Sequence, residues 1–213
     1  MNEPKIQHFV AQSYLERWHR PTGSIWVYDK ATDRSFSTGT DAIGAEKWYY
    51  SVPEQYRVDD VDPHVVERAL ADHDGEVARN IEDLIDYARK VGSLTEGHRQ
   101  AMATFVAIQY RRTPEFLEMR RQMLNTVATV LTNEVADDFD PDNPQYFAQF
   151  DDDWLQLHGS LNLLDPEFVD AFRAALLNHR CLLYICKWGA PFYTSDHPVV
   201  LHNHRPSNLL GTG

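Results

Sequence analysis

DPHVVERALADHDGEVARNIEDLIDYARK, residues 62–90, holds the clearest periodic signal in the chain. Asp62-Pro63 gives an N-cap followed by proline at the first helical position. Val66, Leu70, Val77, Ile81, Leu84 and Ala88 then fall on one stripe, which predicts a helix to about Lys90. Gly75 inside it costs about 1 kcal/mol relative to alanine and marks a local bend or close contact. A long amphipathic helix needs other elements to cover its apolar face, so this stretch sets a helical body as the frame for the rest.

The following segments supply those elements. A second helix is expected after Ser93 or Thr95, with Met102, Phe105, Val106 and Gln109 facing inward, and Thr113-Pro114-Glu115 restarts the chain as a third. The third carries a clean apolar stripe, Phe116, Met119, Met123, Val127, Val130 and Leu131. DDFDPDN (137–143) reads as a loop and 146–163 as helical. Asp165-Pro166-Glu167 opens a further helix with Phe168, Phe172, Ala175 and His179 on its inner face.

At both ends the pattern changes to β. SIWVYD (24–29) and RSFSTGT (34–40), joined by the turn Lys30 to Asp33, predict a hairpin, and EKWYYSV (46–52) repeats the aromatic-rich character until Pro53 stops it. Near the C-terminus CLLYICKW, a Gly189-Ala190-Pro191 turn and FYTSDHPVVL read as a second hairpin. The expected fold is therefore α+β: a mainly helical body of four or five helices packed against a small β-region made by the N-terminal hairpin and C-terminal strands. One domain, 1–213, is expected, divided into a β-rich part (1–53), the helical body (62–180), the C-terminal hairpin (181–201) and a tail (202–213).

The chain has 213 residues, 43% of them hydrophobic, with 20 basic and 32 acidic side chains, a net charge of -12. That balance repels phosphate backbones at long range, so non-specific duplex DNA binding is not expected. A local basic group, Arg111, Arg112, Arg120 and Arg121, keeps RNA, nucleotide or protein partners open, against the plainer reading of a solvated helix face with ion pairs. No apolar run approaches a membrane span and no signal peptide is seen at the N-terminus. Cys181 and Cys186 would lie roughly 16 Å apart on opposite faces of a strand and so cannot pair. A reducing, cytoplasmic location is the expectation.

Three segments in order carry a family likeness: Gln7-His8-Phe9-Val10 with Tyr14-Leu15 and Trp18, then Trp26-Val27-Tyr28-Asp29, and last Phe192-Tyr193-Thr194-Ser195-Asp196-His197-Pro198-Val199-Val200. With Gln109-Tyr110-Arg111-Arg112-Thr113-Pro114 between them, the chain resembles the family known as domain of unknown function 4238, from His8 to Val200. Ala11 stands where that family usually has proline, and His197 where asparagine is usual. Members commonly continue with a further strand, so the resemblance implies that this chain is truncated at Gly213. It implies candidate positions and no activity.

The sharpest candidate site joins His8, Arg112 and Asp196 as base, phosphate clamp and metal ligand or orienter. Gln7, Tyr14, Arg111 and Ser195 beside them are the candidate substrate-binding residues. The trio requires the two ends of the chain to meet. Its competitor is a buried clasp in which Asp196 pairs with arginine to lock the N-terminal segment to the C-terminal hairpin. Asp196, His202 and His204 share strand parity and form a candidate site for a divalent metal.

Weaker patterns resolve more simply. His64/Glu67 and His73/Glu76 lie about half a turn apart on a helix and cannot converge on one ion. Asp138, Asp140 and Asp142 imitate an EF-hand start, yet Asn143 and Gln149 replace its glycine and glutamate. Arg173 and His179 resemble the HEPN ribonuclease signature, with a core histidine as the plainer reading. There is no GxGxxG, no GxxxxGK[ST] and no GxSxG, which disfavours nucleotide-loop enzymes and serine hydrolases. Two functions remain: a hydrolytic enzyme acting on phosphodiesters or nucleotides, or a non-enzymatic ligand-sensing or protein-binding module whose polar motif residues are a clasp. In the second, Trp26, Tyr28, Trp48, Tyr49 and Tyr50 make the contact surface.

Overall fold

The computed structural model describes residues 6–59, 62–137, 148–184 and 192–201. Among them the order is β1 (Ile6–His8), α1 (Gln12–Leu15), β2 (Ile25–Asp29), β3 (Arg34–Thr38), β4 (Ala45–Lys47), α2 (Val65–Val91), α3 (Glu96–Arg111), α4 (Pro114–Asp137), α5 (Asp152–Asn162) and α6 (Pro166–Leu177). This is an α+β fold with a mainly helical body. None of the described helices is long and apolar enough to cross a membrane.

The expected N-terminal hairpin is present. β2 and β3 pair antiparallel with Val27 opposite Phe36, and Asp29 caps the turn by accepting the Ala31 N–H at 2.9 Å and the Thr32 hydroxyl at 2.7 Å. A second small ladder pairs β1 with β4, Gln7 opposite Glu46. Between them the chain must cross itself closely. Phe9 and Val10 both donate their N–H to the Gly44 carbonyl, at 2.8 and 3.0 Å, and Gly44 has φ +63°. A Cβ there would sit 2.9 Å from that of Val10, so only glycine fits.

The α2 helix starts at Val65, two residues later than Pro63 would allow. The Asp62 carboxylate accepts the His64 N–H at 3.0 Å and turns the chain before the helix. Val66, Leu70, Val77 and Ala88 are buried as the stripe requires. Gly75 marks neither a break nor a close approach, since a Cβ there would meet only Arg79, at 3.8 Å. Gly92 at φ +74° ends the helix, its N–H returning to Ala88. In α3 a capping box forms with His98 in the place usual for glutamate. Small side chains, Ala103 and Ala107, line the buried face of α3 with Ile108, which lets α6 approach closely. Met102, Phe105 and Val106 are consequently only partly buried.

Two expected faces are placed otherwise. On α6 the partly buried apolar side chains are Val169, Phe172, Leu176 and Leu177, while Phe168, Ala175 and His179 are exposed. Overlapping apolar periods there left the phase undetermined by pattern, and packing against Tyr110 of α3 chose it. On α4, Met119, Met123, Val127, Val130 and Leu131 are exposed and not covered by any described element. In the C-terminal segment, described residues 181–184 and 192–201 lie in no strand, so the expected hairpin is absent from the described residues. Cys181 is exposed there, and Cys186, His202, His204 and the 138–142 acidic run lie outside the described residues.

The core sits where the N-terminal segment meets the helices. Phe9, Val10, Leu15 and Tyr50 pack with Val66 and Leu70 of α2, Ile108 of α3 and Leu163 after α5. Those residues are contributed from well-separated parts of the sequence. Burying the 9–15 segment requires its backbone polar groups to be satisfied, and that requirement builds the polar cluster described next.

Candidate functional site

Gln7, Gln109 and Arg112 are almost fully buried, and each binds backbone of the N-terminal region. Gln7 donates from Nε2 to Ser51 Oγ at 2.9 Å and accepts the Tyr50 N–H at 2.6 Å. Gln109, on the inner face of α3 as its spacing predicts, accepts the Ala11 N–H at 3.2 Å and donates to the Phe9 carbonyl at 2.8 Å. Both amides therefore stand in for a strand partner beside backbone that has none.

Arg112, its side chain 2% exposed, is the hub. Its Nη1 binds both oxygens of Asp74 on α2, at 2.8 and 3.0 Å, and its Nη2 donates to the His8 carbonyl. The Tyr50 hydroxyl donates to the Arg112 carbonyl at 3.2 Å. Burial opposes the charge on Arg112, but Tyr50 and the Asp74 carboxylate facing it outweigh that, and the guanidinium is held above its ordinary range. Arg111 points the other way, donating to the carbonyls of Asn162 at 2.5 Å and Leu163 at 3.5 Å, with its guanidinium 4.0 Å over the Phe168 ring. Burial, then repulsion from Arg120, brings Arg111 down to about 10.

Around Arg112 stand four titratable groups with an unpartnered buried atom among the described residues: His8 Nε2, Tyr49 Oη, Glu67 Oε2 and His73 Nε2. Burial pushes the Glu67 carboxyl up to about 7, Arg112 pulling the other way and Asp74 reinforcing the rise. Burial also holds His8 and His73 below the ordinary histidine range. For His73 the fall due to burial is partly offset by the adjacent Asp74. His64, read from the sequence beside Glu67, instead shares its Nδ1 with Ser51 Oγ at 3.1 Å and stacks on Trp48. The described residues contain no group of three or more His, Cys, Asp or Glu side chains placed to hold a metal ion.

The two ends of the chain do meet, through different atoms from those expected. Tyr14 Oη lies 2.8 Å from Thr194 Oγ1, and His197 Nδ1 lies 2.9 Å from both Thr113 Oγ1 and Glu115 Oε2. Asp196 is exposed, and Ser195 Oγ accepts the His197 N–H at 3.1 Å within its own bend. His8 and Arg112 are thus brought together, while the carboxylate facing Arg112 belongs to Asp74. A family model described as a protein of unknown function, DUF4238, matches residues 6–211. The chain belongs to the DUF4238 family. No curated protein and no solved structure matches it.

In this DUF4238 chain the motif residues separate by exposure. Gln7, Gln109, Arg112 and Thr113 are buried and hydrogen-bonded; Ser195 and Asp196 face solvent. The basic group read from the sequence is likewise dispersed: Arg120 donates to His158, and Arg121 pairs with Glu118 at 2.8 Å. Sequence reasoning missed Glu67 and Asp74 as partners of the cluster. The available signal was their seven-residue separation, two turns of α2, along the border of the Val66, Leu70 and Val77 stripe. Arg173 pairs with Asp170 at 2.9 Å, and exposed His179 lies 2.7 Å from the Ala175 carbonyl, so these two side chains have separate local partners.

An aromatic surface lies on the hairpin. Trp26 and Tyr28 are 53% and 59% exposed, and their cross-strand neighbours on the same face are Ser37 and Ser35. The Arg20 guanidinium lies 5.0 Å over the Trp26 ring. Trp48 is partly exposed, whereas Tyr50 is buried in the core. The aromatic set read from the sequence is therefore divided between surface and core. A separate apolar cleft of about 180 Å³, lined by Val52, Tyr56, Val58, Leu157 and Leu161 among others, contains none of the motif residues.

Proposed function

We propose that this DUF4238 chain is a protein-binding module in which the buried motif residues clasp the N-terminal segment and the β2–β3 face makes the contact. The carrying observation is the pair Trp26 and Tyr28, both more than half exposed on one face beside Arg20. Tryptophan, tyrosine and arginine dominate binding energy at protein interfaces, and leaving two large rings in water is unfavourable without a partner. The net charge of -12 disfavours nucleic acid as that partner. Arg112, with both terminal nitrogens engaged, serves in this reading as support for the fold.

A second reading, a hydrolase acting on phosphodiesters or nucleotides, is favoured by one observation. Burial raises the Glu67 carboxyl to about 7 and leaves it an unpartnered oxygen beside the Arg112–Asp74 pair, which suits proton transfer. Two experiments separate the readings. Affinity capture followed by titration of the purified captured protein should give saturable binding that Trp26→Ala/Tyr28→Ala weakens at least about tenfold. Unchanged binding would refute the hairpin face. Cleavage of pooled transfer RNA, single-stranded RNA and DNA, with Mg²⁺, Mn²⁺ or chelator, should be absent; cleavage abolished by folded Glu67→Gln would install the hydrolase instead.

A further inference from the structure

The α4 helix presents a second unpartnered surface, independent of the hairpin. Met119, Met123, Val127, Val130, Leu131 and Val135 are each at least half exposed. Their spacing puts them along one broad face about 24 Å long. Six large apolar side chains in one strip exceed the scattered exposure normal for a monomer surface. Phe150 and the segment before it pack on the opposite side of α4, Phe150 donating its N–H to Asn125 at 3.0 Å and Ala148 to Thr129 at 3.1 Å, while α5 borders one edge of this face, meeting Leu117 at Gly159 and Arg120 at His158.

Two charges stand within this apolar face. Arg120 lies near its start and Glu134 near its end; they project within about 40° of each other, and Val127 is midway between them in sequence. Arg120 donates to the His158 carbonyl and lies 2.7 Å from its Nδ1, but faces no carboxylate among the described residues. Glu134 is exposed and has no cationic partner among the described residues.

We propose that two copies of this chain pair antiparallel through α4, with the two-fold axis at Val127. In that register Val127 meets Val127 of the second copy, Met123 meets its Leu131, Met119 meets its Val135, and Arg120 meets its Glu134, twice by symmetry. A parallel pair in register would set Arg120 against Arg120 and Glu134 against Glu134. Like charges on an apolar seam oppose that arrangement, and antiparallel helix dipoles favour the other. The charges thus select both the occupant, a second copy, and its direction.

Sedimentation equilibrium of the full chain across the micromolar range should show a dimer of the 24.6 kDa protomer. Glu134→Arg, at an exposed position, should weaken dimerisation about tenfold while leaving the helical circular dichroism of the folded chain unchanged, and Arg120→Glu/Glu134→Arg should restore it. With Cys181 and Cys186 replaced by serine, Val127→Cys should form a disulfide-linked dimer on oxidation and Met123→Cys should not. A monomer at every concentration, or a dimer indifferent to Glu134→Arg, would overturn the interface. Equal crosslinking by Val127→Cys and Met123→Cys would overturn the antiparallel register.

Discussion

Arg112→Met removes the guanidinium while keeping much of the apolar stem. Asp74, its side chain 18% exposed, then loses two hydrogen bonds and its counter-charge. Breaking a buried ion pair from one side costs about 3 to 5 kcal/mol, and the partial exposure of Asp74 places this case near the lower figure. The His8 carbonyl loses the Arg112 donor but can share the single Tyr50 hydroxyl proton with the Arg112 carbonyl, at 3.3 and 3.2 Å, so this loss adds about 1 kcal/mol. The total is about 3 to 4 kcal/mol. Asp74→Leu alone strands a charge that is 2% exposed and should cost about 4 kcal/mol. The double substitution leaves no unpaired charge and should cost about 1 to 2 kcal/mol, less than either single change. Urea unfolding at about pH 7, followed by circular dichroism, reads all three variants. At a slope of about 2 kcal/mol/M, each single variant moves the midpoint by about 1.5 to 2 M. Single variants costing under about 1 kcal/mol, or a double variant costing their sum, would refute the clasp.

Three other substitutions test neighbouring parts of the fold. Asp196→Ala, at an exposed position, should change stability by no more than about 0.5 kcal/mol in the same urea experiment, whereas a buried clasp through Asp196 would lose several times that. Gly44→Ala should cost about 2 to 4 kcal/mol, because φ of +63° strains alanine and its Cβ would meet Val10 at 2.9 Å; a cost under about 1 kcal/mol would mean that the chain crossing is looser than described. Glu67, raised from 4.5 to about 7 in the folded chain, holds its proton more tightly there than when unfolded, so its favourable contribution is complete below pH 4.5 and is lost as pH rises to 7. Solvent screening of the partly exposed group reduces that loss to about 1 to 2 kcal/mol. Glu67→Gln should remove this fall, while the opposite trend from His8 and His73 stays in both proteins; identical pH profiles between about 5 and 8 would refute the assignment.

How far the sequence reveals this structure depends on whether a signal is local. Asp165 before Pro166 and Thr95 before α3 fix helix starts because the capping atoms lie within three residues of what they cap. The Val66, Leu70 and Val77 stripe fixes the inner face of α2 for the same reason. Partner choice across the fold has no such signal. Gln109 stands out as a polar residue on an otherwise apolar helix face, but nothing near Arg112 in sequence distinguishes Asp74 from Asp196 as its carboxylate. That choice follows from α2 and α3 running antiparallel, His98 against Asp83 at one end and Arg112 against Asp74 at the other, while the segment around residue 196 docks through His197 on Thr113.

The α4 helix shows a different boundary between pattern and structure. Met119 to Leu131 has the periodicity of a buried face, and the natural expectation is burial within the same chain. Periodicity states only that the face is to be covered; it is silent on which chain covers it. Within a single copy Arg120 is held by His158 of α5 but meets no counter-charge among the described residues, and Glu134 stays exposed to water. The charges are compatible with a seam whose second half is the same seam reversed, because reversal places each opposite its complement. Self-association through α4 would cover its exposed apolar face and give both charges an opposite partner, where a single copy supplies Arg120 with the acceptors of His158 alone.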